Sequence, residues 1–153
     1  MNKKDQYTAA IREIEIRLAK GGDLIADLGN AAAVLKKRFS FFWVGFYIFV
    51  HNKLVLGPFQ GTPACVFLEP GKGVCWGCVK AKRTIIVPDV HSFPDHIACD
   101  PASRSEIAVP VFDKKGAIRA VLDVDSEFVQ TFDKVDQQGL ENVAKLLAER
   151  WNE

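Results

Sequence analysis

The stretch FFWVGFYIFV, residues 41–50, is where the chain changes from helical to extended patterns. Its residues are nearly all aromatic or β-branched, which is typical of a β-strand. Because alternate strand residues point to opposite faces, one face is predicted to be wholly apolar and to meet helices: Phe42, Val44, Phe46, Ile48 and Val50. The other face is predicted to hold Phe41, Trp43, Gly45, Tyr47 and Phe49. Buried tyrosine and tryptophan need partners for their polar groups, so a site is expected on this second face.

Two helices are predicted before this strand and a hairpin partner after it. Apolar residues recur among charges at helical spacing over residues 5–20 and again over residues 23–39, with Asp23 placed as the N-cap of the second helix. The turn HNK, residues 51–53, leads into a second strand at residues 54–59.

Residues 61–73, which proline and glycine interrupt, are predicted to form a loop around a short strand. The remaining elements are predicted, in chain order, as a short helix, a strand, a long loop, a hairpin and a final helix: residues 74–83, 84–87, 88–105, 106–113 with 117–128, and 133–151. Helices at both chain ends with hairpin-linked strands between them indicate an α+β fold, since terminal helices can stack on one face of an antiparallel sheet. We therefore predict a single domain, residues 1–153, built on an antiparallel sheet of about six strands.

Composition excludes several classes of protein. A net charge of +1 gives no electrostatic reason to expect binding to nucleic acid or to a membrane surface. The start, MNKKDQYTAAIREIEIRLAK, lacks the apolar segment of a signal peptide, and no apolar run reaches the ~18 residues of a membrane span. A cytoplasmic location is expected, where the four cysteines would be mostly reduced and suited to reactive or metal-binding roles.

Acidic and aromatic side chains are predicted to meet on the second face of the sheet. Asp123 and Asp125 lie two residues apart on one strand, so they project side by side, and Glu106 opens the partner strand of the same hairpin. Covered carboxylates this close either retain a proton or need a cation. With Trp43 and Tyr47 as a wall, this pattern indicates a ligand pocket opposite the helices; the alternative is a solvated sheet face with ordinary surface acids.

The cysteine and histidine spacing C-x2-C-x12-H-x4-H, residues 75–96, matches that of a zinc finger. A finger needs both histidines on one helix, and Pro88 and Pro94 would interrupt it. The chain also has a core of its own and does not need a metal to fold. We expect no metal.

Cys99 lies in the segment HIACDPASRSEI, residues 96–107, close in sequence to His91, His96 and Arg104. A partially exposed thiolate near positive or donor groups is the setting of a reactive cysteine. Oxidation of such a cysteine calls for a second cysteine within reach, and three precede it in the chain: Cys65, Cys75 and Cys78. The alternative for each cysteine is a small buried apolar residue.

Several motifs together resemble the free methionine-(R)-sulfoxide reductases, a family of stand-alone GAF domains. They are WVGFY (43–47), GPFQGTPACV (57–66), GKGVC (71–75), VPDVHSFPDHIACDPASRSEI (87–107) and DVDS (123–126). The resemblance covers nearly the whole chain. It implies an antiparallel sheet with helices on one side and a ligand cavity on the other, which agrees with the element order.

The resemblance also implies a function and a set of roles. It implies reduction of the R epimer of free methionine sulfoxide, through a cysteine sulfenic acid and an intramolecular disulfide, with no cofactor and with thioredoxin as the recycling partner. The implied roles are Cys99 as nucleophile, Cys65 as resolving cysteine, Cys75 as a second cysteine for exchange, Glu106, Asp123 and Asp125 as acids of the substrate cavity, and Trp43 and Tyr47 as its aromatic wall. The alternative function is a non-catalytic GAF sensor of a small ligand.

The chain departs from the family pattern at one place. Members commonly continue as GVCGTA, whereas this chain has GVCWGC, which adds Trp76 and Cys78. The route of disulfide exchange therefore stays open: Cys75 and Cys78 could form a pair of their own, or Cys78 could be buried and silent. Whether the chain is a monomer or a homodimer also stays open.

Overall fold

The structure, a computed structural model, describes residues 1–96 and 99–151. Within these residues the helices are Lys3–Ala19 (α1), Leu24–Arg38 (α2), Val74–Ala81 (α3) and Lys134–Ala148 (α4). The strands are Trp43–Val50 (β1), Lys53–Gln60 (β2), Phe67–Leu68 (β3), Ile85–Val87 (β4), Ser105–Phe112 (β5) and Ile118–Ser126 (β6). The predicted loop 88–105 holds a short 3-10 helix, Val90–Ser92, and includes residues 97 and 98, which lie outside the described residues, as do residues 152 and 153 of the predicted domain.

The six strands form one sheet in the order β3-β2-β1-β6-β5-β4, and every neighbouring pair is antiparallel. The predicted α+β class and the antiparallel sheet of about six strands are therefore confirmed. None of the helices within residues 1–96 and 99–151 is long and apolar enough to cross a membrane.

Two apolar cores lie on opposite faces of this sheet. The larger core joins α1, α2 and α4 to the side chains of Val44, Phe46, Leu122 and Val124. The smaller core surrounds α3 on the other face. The terminal helices thus share one face as predicted, while α3 packs on the other.

The N-termini of α2 and α4 differ in their capping. Asp133 accepts hydrogen bonds from Val135 N and Asp136 N, and Asp136 in turn accepts one from Asp133 N, which completes a capping box. Asp23 occupies the N-cap position of α2, as predicted, but its side chain makes no capping hydrogen bond.

The predicted faces of residues 41–50 are wrong at both ends. Phe41 packs in the core beneath the helices, stacked on Phe39, and Phe42 lines the pocket on the other face. Strand β1 begins only at Trp43, so the alternation of a strand does not hold for the two residues before it. Val50 is 42% exposed because it ends the strand beside the turn.

Candidate active site

The pocket lies on the face of the sheet that carries α3, where β1, β6 and β5 run side by side. Sheet register places Asp125 between Trp43 and Glu106, and Asp123 between Gly45 and Ala108. Because these residues share one face of adjacent strands, their side chains converge. The start of α3, the segment before it and the loop that carries Cys99 complete the enclosure.

Trp43 and Tyr47 form one wall of this pocket, as residues four apart on one strand. Their ring centroids lie 6.0 Å apart, and Phe59 stacks on Trp43 at 5.3 Å. Both polar groups are satisfied by the opposite segment, since Trp43 Nε1 donates to the carbonyl of Thr62 at 2.9 Å and Tyr47 Oη donates to that of Cys65 at 2.9 Å. The wall is therefore rigid, and it is tied to the segment that holds Cys65.

Gly45 and Gly61 make room for the indole of Trp43. A Cβ at Gly45 would lie 2.6 Å from Trp43 Cη2 and 2.4 Å from Phe59 Cβ. A Cβ at Gly61 would lie 2.7 Å from Trp43 Cδ1, and its φ of +137° also favours glycine. The indole can thus lie flat across the sheet, over a residue without a side chain.

Three carboxyl groups form the floor. Glu106 and Asp123 are buried and Asp125 is half-buried. Burial, followed by the charges of Asp123 and Asp125, raises the pKa of Glu106 well above its usual range, and burial, Asp123 and Asp100 do the same for Asp125. Burial also raises the pKa of Asp123, opposed by hydrogen bonds from Glu106 and Cys75. Burial and mutual repulsion therefore favour the protonated forms of these carboxyl groups.

The carboxyl groups of the floor have different neighbours. Asp123 faces α3, because its carboxyl oxygen lies within 4.8 Å of the Cys75 thiol. Asp125 lines the same pocket as Cys99 and Asp100, and the charge of Asp100 is among the causes that raise its pKa. One oxygen of Asp123, Oδ1, is buried and has no hydrogen-bond partner among the described residues. A buried acceptor without a donor is costly, which indicates room for a donor or cation from a ligand.

Cys75 and Cys78 lie in α3, on the turn that faces the sheet, and both are buried free thiols. Burial is the largest cause that raises the pKa of Cys75 well above its usual range, followed by the charge of Asp123. Burial and Asp123 raise the pKa of Cys78 to about 12. Both side chains are therefore protonated thiols at neutral pH and poor nucleophiles.

Cys65 and Cys99 are joined by a disulfide, with their Cα atoms 5.7 Å apart. Cys99 lines the pocket, while Cys65 lies beside it and accepts the hydrogen bond from Tyr47 Oη through its own backbone carbonyl. Asp100 fastens the same loop, because its carboxylate accepts from Thr62 Oγ1 and from Ala102 N, each at 2.8 Å. These bonds lower the pKa of Asp100, so it stays ionised beside Cys99.

The predicted site residues thus come together at one place. The described lining includes Trp43, Tyr47, Cys75, Cys99, Glu106, Asp123 and Asp125. Lys72 and Ser103, to which the sequence assigned no role, also line the pocket. His96, considered beside Cys99 in the sequence, lines it as well. Arg104, considered beside Cys99 in the sequence, is exposed, and its backbone N donates to the carbonyl of Ser126.

Only one group of potential metal ligands is present within residues 1–96 and 99–151: Cys75, Glu106 and Asp123, whose donor atoms lie within 4.8 Å of one another. It is part of the pocket floor. The zinc-finger spacing does not assemble, since Cys75 and Cys78 are buried in α3 while His91 is exposed in the 3-10 helix.

Comparison with known proteins places this arrangement in a family. The GAF domain family matches residues 26–150. A GAF domain-containing protein A of Dictyostelium discoideum is 46% identical over 147 residues, which are 95% of this chain and 92% of that protein. The free methionine-R-sulfoxide reductase of Escherichia coli strain K12 is 40% identical over 148 residues, 96% of this chain and 89% of that one.

Solved structures agree. The X-ray structure of a free methionine-R-sulfoxide reductase from Neisseria meningitidis, in complex with its substrate, superposes with a TM-score of 0.94. That protein is 44% identical, and the match covers 98% of this chain and 90% of the other.

Proposed function

Because the chain belongs to the free methionine-R-sulfoxide reductases, a family of GAF-domain oxidoreductases, we propose that it reduces free L-methionine-(R)-sulfoxide to methionine. One observation carries the proposal: Cys99, which forms a disulfide with Cys65, lines the same pocket as three carboxyl groups whose pKa values are raised. The reduction of a sulfoxide by a thiol needs both a sulfur nucleophile and a proton donor, and this pocket contains both.

The pocket floor is suited to the ammonium group of a free amino acid. Asp123 Oδ1 is buried without a donor among the described residues, and an ammonium brings three. A peptide-bound methionine sulfoxide has an uncharged amide there, so the same acids would disfavour it. Trp43, held flat against Gly45, would pack against the S-methyl group and help to select the R epimer.

The substrate carboxylate is then expected at the other end of the pocket. Lys72 lies at the rim, paired with the exposed Glu69 at 3.3 Å, and the N-terminus of α3 follows it. Lys72→Gln should raise KM for methionine sulfoxide severalfold and leave kcat nearly unchanged, because it removes binding that does not change in the reaction. Steady-state kinetics would test this, with Lys82→Gln, at the far end of α3, as control; an unchanged KM would contradict it.

Protonation of the sulfoxide oxygen makes its sulfur electrophilic. Glu106 and Asp125 are the candidate donors, since burial and the neighbouring charges raise both pKa values and so favour the protonated acids. The charge of Asp100, the neighbour of Cys99, raises the pKa of Asp125 and is not among the causes for Glu106, which favours Asp125 for this step. A carboxyl whose pKa is raised toward the working pH still carries its proton there and can act as a general acid.

The cysteines then complete the reaction in two steps. The Cys99 thiolate attacks the protonated sulfoxide, the oxygen moves from the substrate sulfur to Cys99 Sγ with its proton, and methionine leaves as Cys99 becomes a sulfenic acid. The Cys65 thiol condenses with it to form the disulfide and release water. Two thiols are oxidised as one sulfoxide is reduced, and the disulfide of the structure corresponds to this end state.

Thioredoxin is proposed to return the disulfide to two thiols, and the cytoplasm is proposed as the location, because thiols are kept reduced there. We also propose that residues 1–153 act as one domain, since both cores share a single sheet.

The decisive experiment uses the fully reduced chain, mixed without thioredoxin with free L-methionine-(R)-sulfoxide and, separately, with the S epimer. We expect about one methionine released and two thiols lost per chain with the R epimer only, as the two steps require. Methionine from neither epimer, with all thiols intact, would exclude the reductase function and leave the GAF ligand-sensor function.

Two cysteine variants separate the steps. Cys99→Ser should release no methionine even in one turnover. Cys65→Ser should retain a single turnover and lose recycling by thioredoxin. Normal recycling in Cys65→Ser would assign the resolving role to Cys75 or Cys78.

A further inference from the structure

An exposed apolar surface directly follows Cys65. Val66 is 55% and Phe67 is 63% exposed, although both are large apolar side chains. Consecutive Cα atoms are about 3.8 Å apart, so the two residues lie within about 8 Å of Cys65. We call Val66 and Phe67 the β3 patch.

We propose that the β3 patch is the docking surface for the dithiol protein that reduces the Cys65–Cys99 disulfide, and that this protein attacks the sulfur of Cys65. The proposal rests on the proposed function, because it assumes a catalytic cycle that ends in this disulfide.

Geometry supports the docking surface. Thiol–disulfide exchange passes through a mixed disulfide, so the two proteins must be in direct contact at the sulfur that is attacked. A standard interface covers about 800 Å² of each partner, a patch roughly 30 Å across. A protein centred on Cys65 is therefore wide enough to reach both Val66 and Phe67. Their burial by the partner supplies the apolar contact that docking needs.

The backbone of β3 adds a second feature. β3 is the last strand at its end of the sheet. The carbonyl of Val66 accepts from Leu56 N at 2.8 Å, so Val66 points its polar backbone groups toward β2. Because these groups alternate in direction along a strand, those of Phe67 point away from the sheet. A partner segment can thus hydrogen-bond to this edge while its thiol reaches Cys65.

Charge and position select Cys65 as the sulfur that is attacked. Cys99 lines the acidic pocket and is followed by the ionised Asp100, which repels an incoming thiolate. Cys65 is half-buried and flanked by Ala64 and Val66, which carry no charge.

The electrons balance in two exchanges. The thiolate of the partner bonds to Cys65 Sγ, the Cys65–Cys99 bond breaks, and Cys99 leaves as a thiolate facing the pocket. The second thiol of the partner then displaces Cys65, and the partner carries away the disulfide. Cys65 and Cys99 are both left reduced.

The test compares a protein reductant with a small one. Phe67→Asp should raise the apparent KM for thioredoxin at least tenfold, and methionine formation driven by dithiothreitol should stay within twofold of the unmodified chain. Ile25→Asp is the matched control, since Ile25 is 67% exposed on α2, across the sheet, and both rates should be unchanged. An unchanged KM for thioredoxin in Phe67→Asp would overturn the docking surface.

Two further arms keep the outcomes distinct. If Phe67→Asp also loses the rate with dithiothreitol, Phe67→Ser and Val66→Asp are measured in the same way, and equal loss with both reductants in all three variants overturns the proposal. Oxidised chain mixed with a thioredoxin that retains only its attacking cysteine should be trapped at Cys65, and a trapped adduct at Cys99 overturns the attack on Cys65. No methionine with dithiothreitol in the unmodified chain would contradict the reductase function instead, and the trapping result would still decide which sulfur the partner attacks.

Discussion

Asp125 lies in register between Trp43 and Glu106, and burial with the charges of Asp123 and Asp100 raises its pKa. If this carboxyl protonates the sulfoxide, Asp125→Asn should lower kcat/KM about 100-fold or more, which is the usual contribution of a general acid. The amide can donate a hydrogen bond but cannot transfer a proton. Single-turnover release of methionine measures the effect, with the exposed Asp5→Asn as control. A rate within twofold of the unmodified chain would assign the proton to Glu106.

Gly45 is the residue on which the aromatic wall depends. Gly45→Ala forces a Cβ to within 2.4 Å of Phe59 Cβ and 2.6 Å of Trp43 Cη2, so we expect a loss of about 1–3 kcal/mol in the free energy of unfolding. The displaced indole should also raise KM for methionine sulfoxide. Gly29→Ala in α2 is the control, because the nearest outside atom lies 3.9 Å from its Cβ and alanine favours a helix by about 0.5–1 kcal/mol. Urea denaturation of both variants and of the unmodified chain would measure these changes. If Gly45→Ala were as stable as the unmodified chain, the sheet would accommodate the added methyl group without cost.

At the scale of elements, α3 carries thiols that its burial keeps protonated. In the fully reduced protein at neutral pH, an alkylating reagent should therefore modify Cys65 and Cys99 before it modifies Cys75 and Cys78. Labelling of Cys78 should rise about tenfold per pH unit toward its pKa of about 12, since the thiolate reacts. Mass mapping of labelled peptides measures this, and early labelling of Cys78 would contradict the burial of α3.

The same burial predicts that the additional cysteine of GVCWGC is silent in the cycle. Cys78→Ala should leave steady-state turnover with thioredoxin within twofold of the unmodified chain, because a protonated buried thiol exchanges slowly. A large loss of recycling, with normal single-turnover release of methionine, would place Cys78 in the exchange route.

For the whole molecule, the acidic pocket is expected to cost stability. Glu106 ionises near its ordinary pKa in the unfolded chain but at a higher pH in the folded protein. Over that interval the folded state binds more protons, so the free energy of unfolding falls as pH rises. Each unit by which the pKa is raised corresponds to about 1.4 kcal/mol.

Glu106→Gln should therefore be more stable than the unmodified chain at pH 8, lose less stability between pH 5 and pH 8, and be less active. Urea denaturation at both pH values measures this, with the exposed Glu15→Gln as control. Glu13 acts in the opposite direction, because hydrogen bonds from Lys37 and then Arg38 lower its pKa to about 2, so its contribution is lost only below pH 5. Equal slopes in Glu106→Gln and the unmodified chain would contradict a raised pKa.

Much of the architecture could be predicted from local patterns. The change from helical spacing to the aromatic stretch at residues 41–50 located β1, and the hairpin signals located β2, β5 and β6. Local reasoning failed for Phe41 and Phe42, because they precede the strand and their direction is set by packing against Phe39 and the pocket.

The site was predictable to the extent that it follows from register. Residues two apart on a strand must share a face, so Asp123 and Asp125, and Trp43 with Tyr47, could be paired from the sequence. The role of Gly45 and the hydrogen bond from Thr62 to Asp100 could not be predicted from the sequence, because each depends on a contact between segments that are distant in sequence.

The sequence by itself determined the fold class, the family resemblance and the types of side chain on the pocket face, because these follow from periodicity and from motifs that are local in the chain. Only the tertiary structure decided which carboxyls are buried, which thiols stay protonated and which apolar residues beside Cys65 remain exposed. Burial and electrostatic coupling depend on what packs around a group, and that is a property of the whole fold.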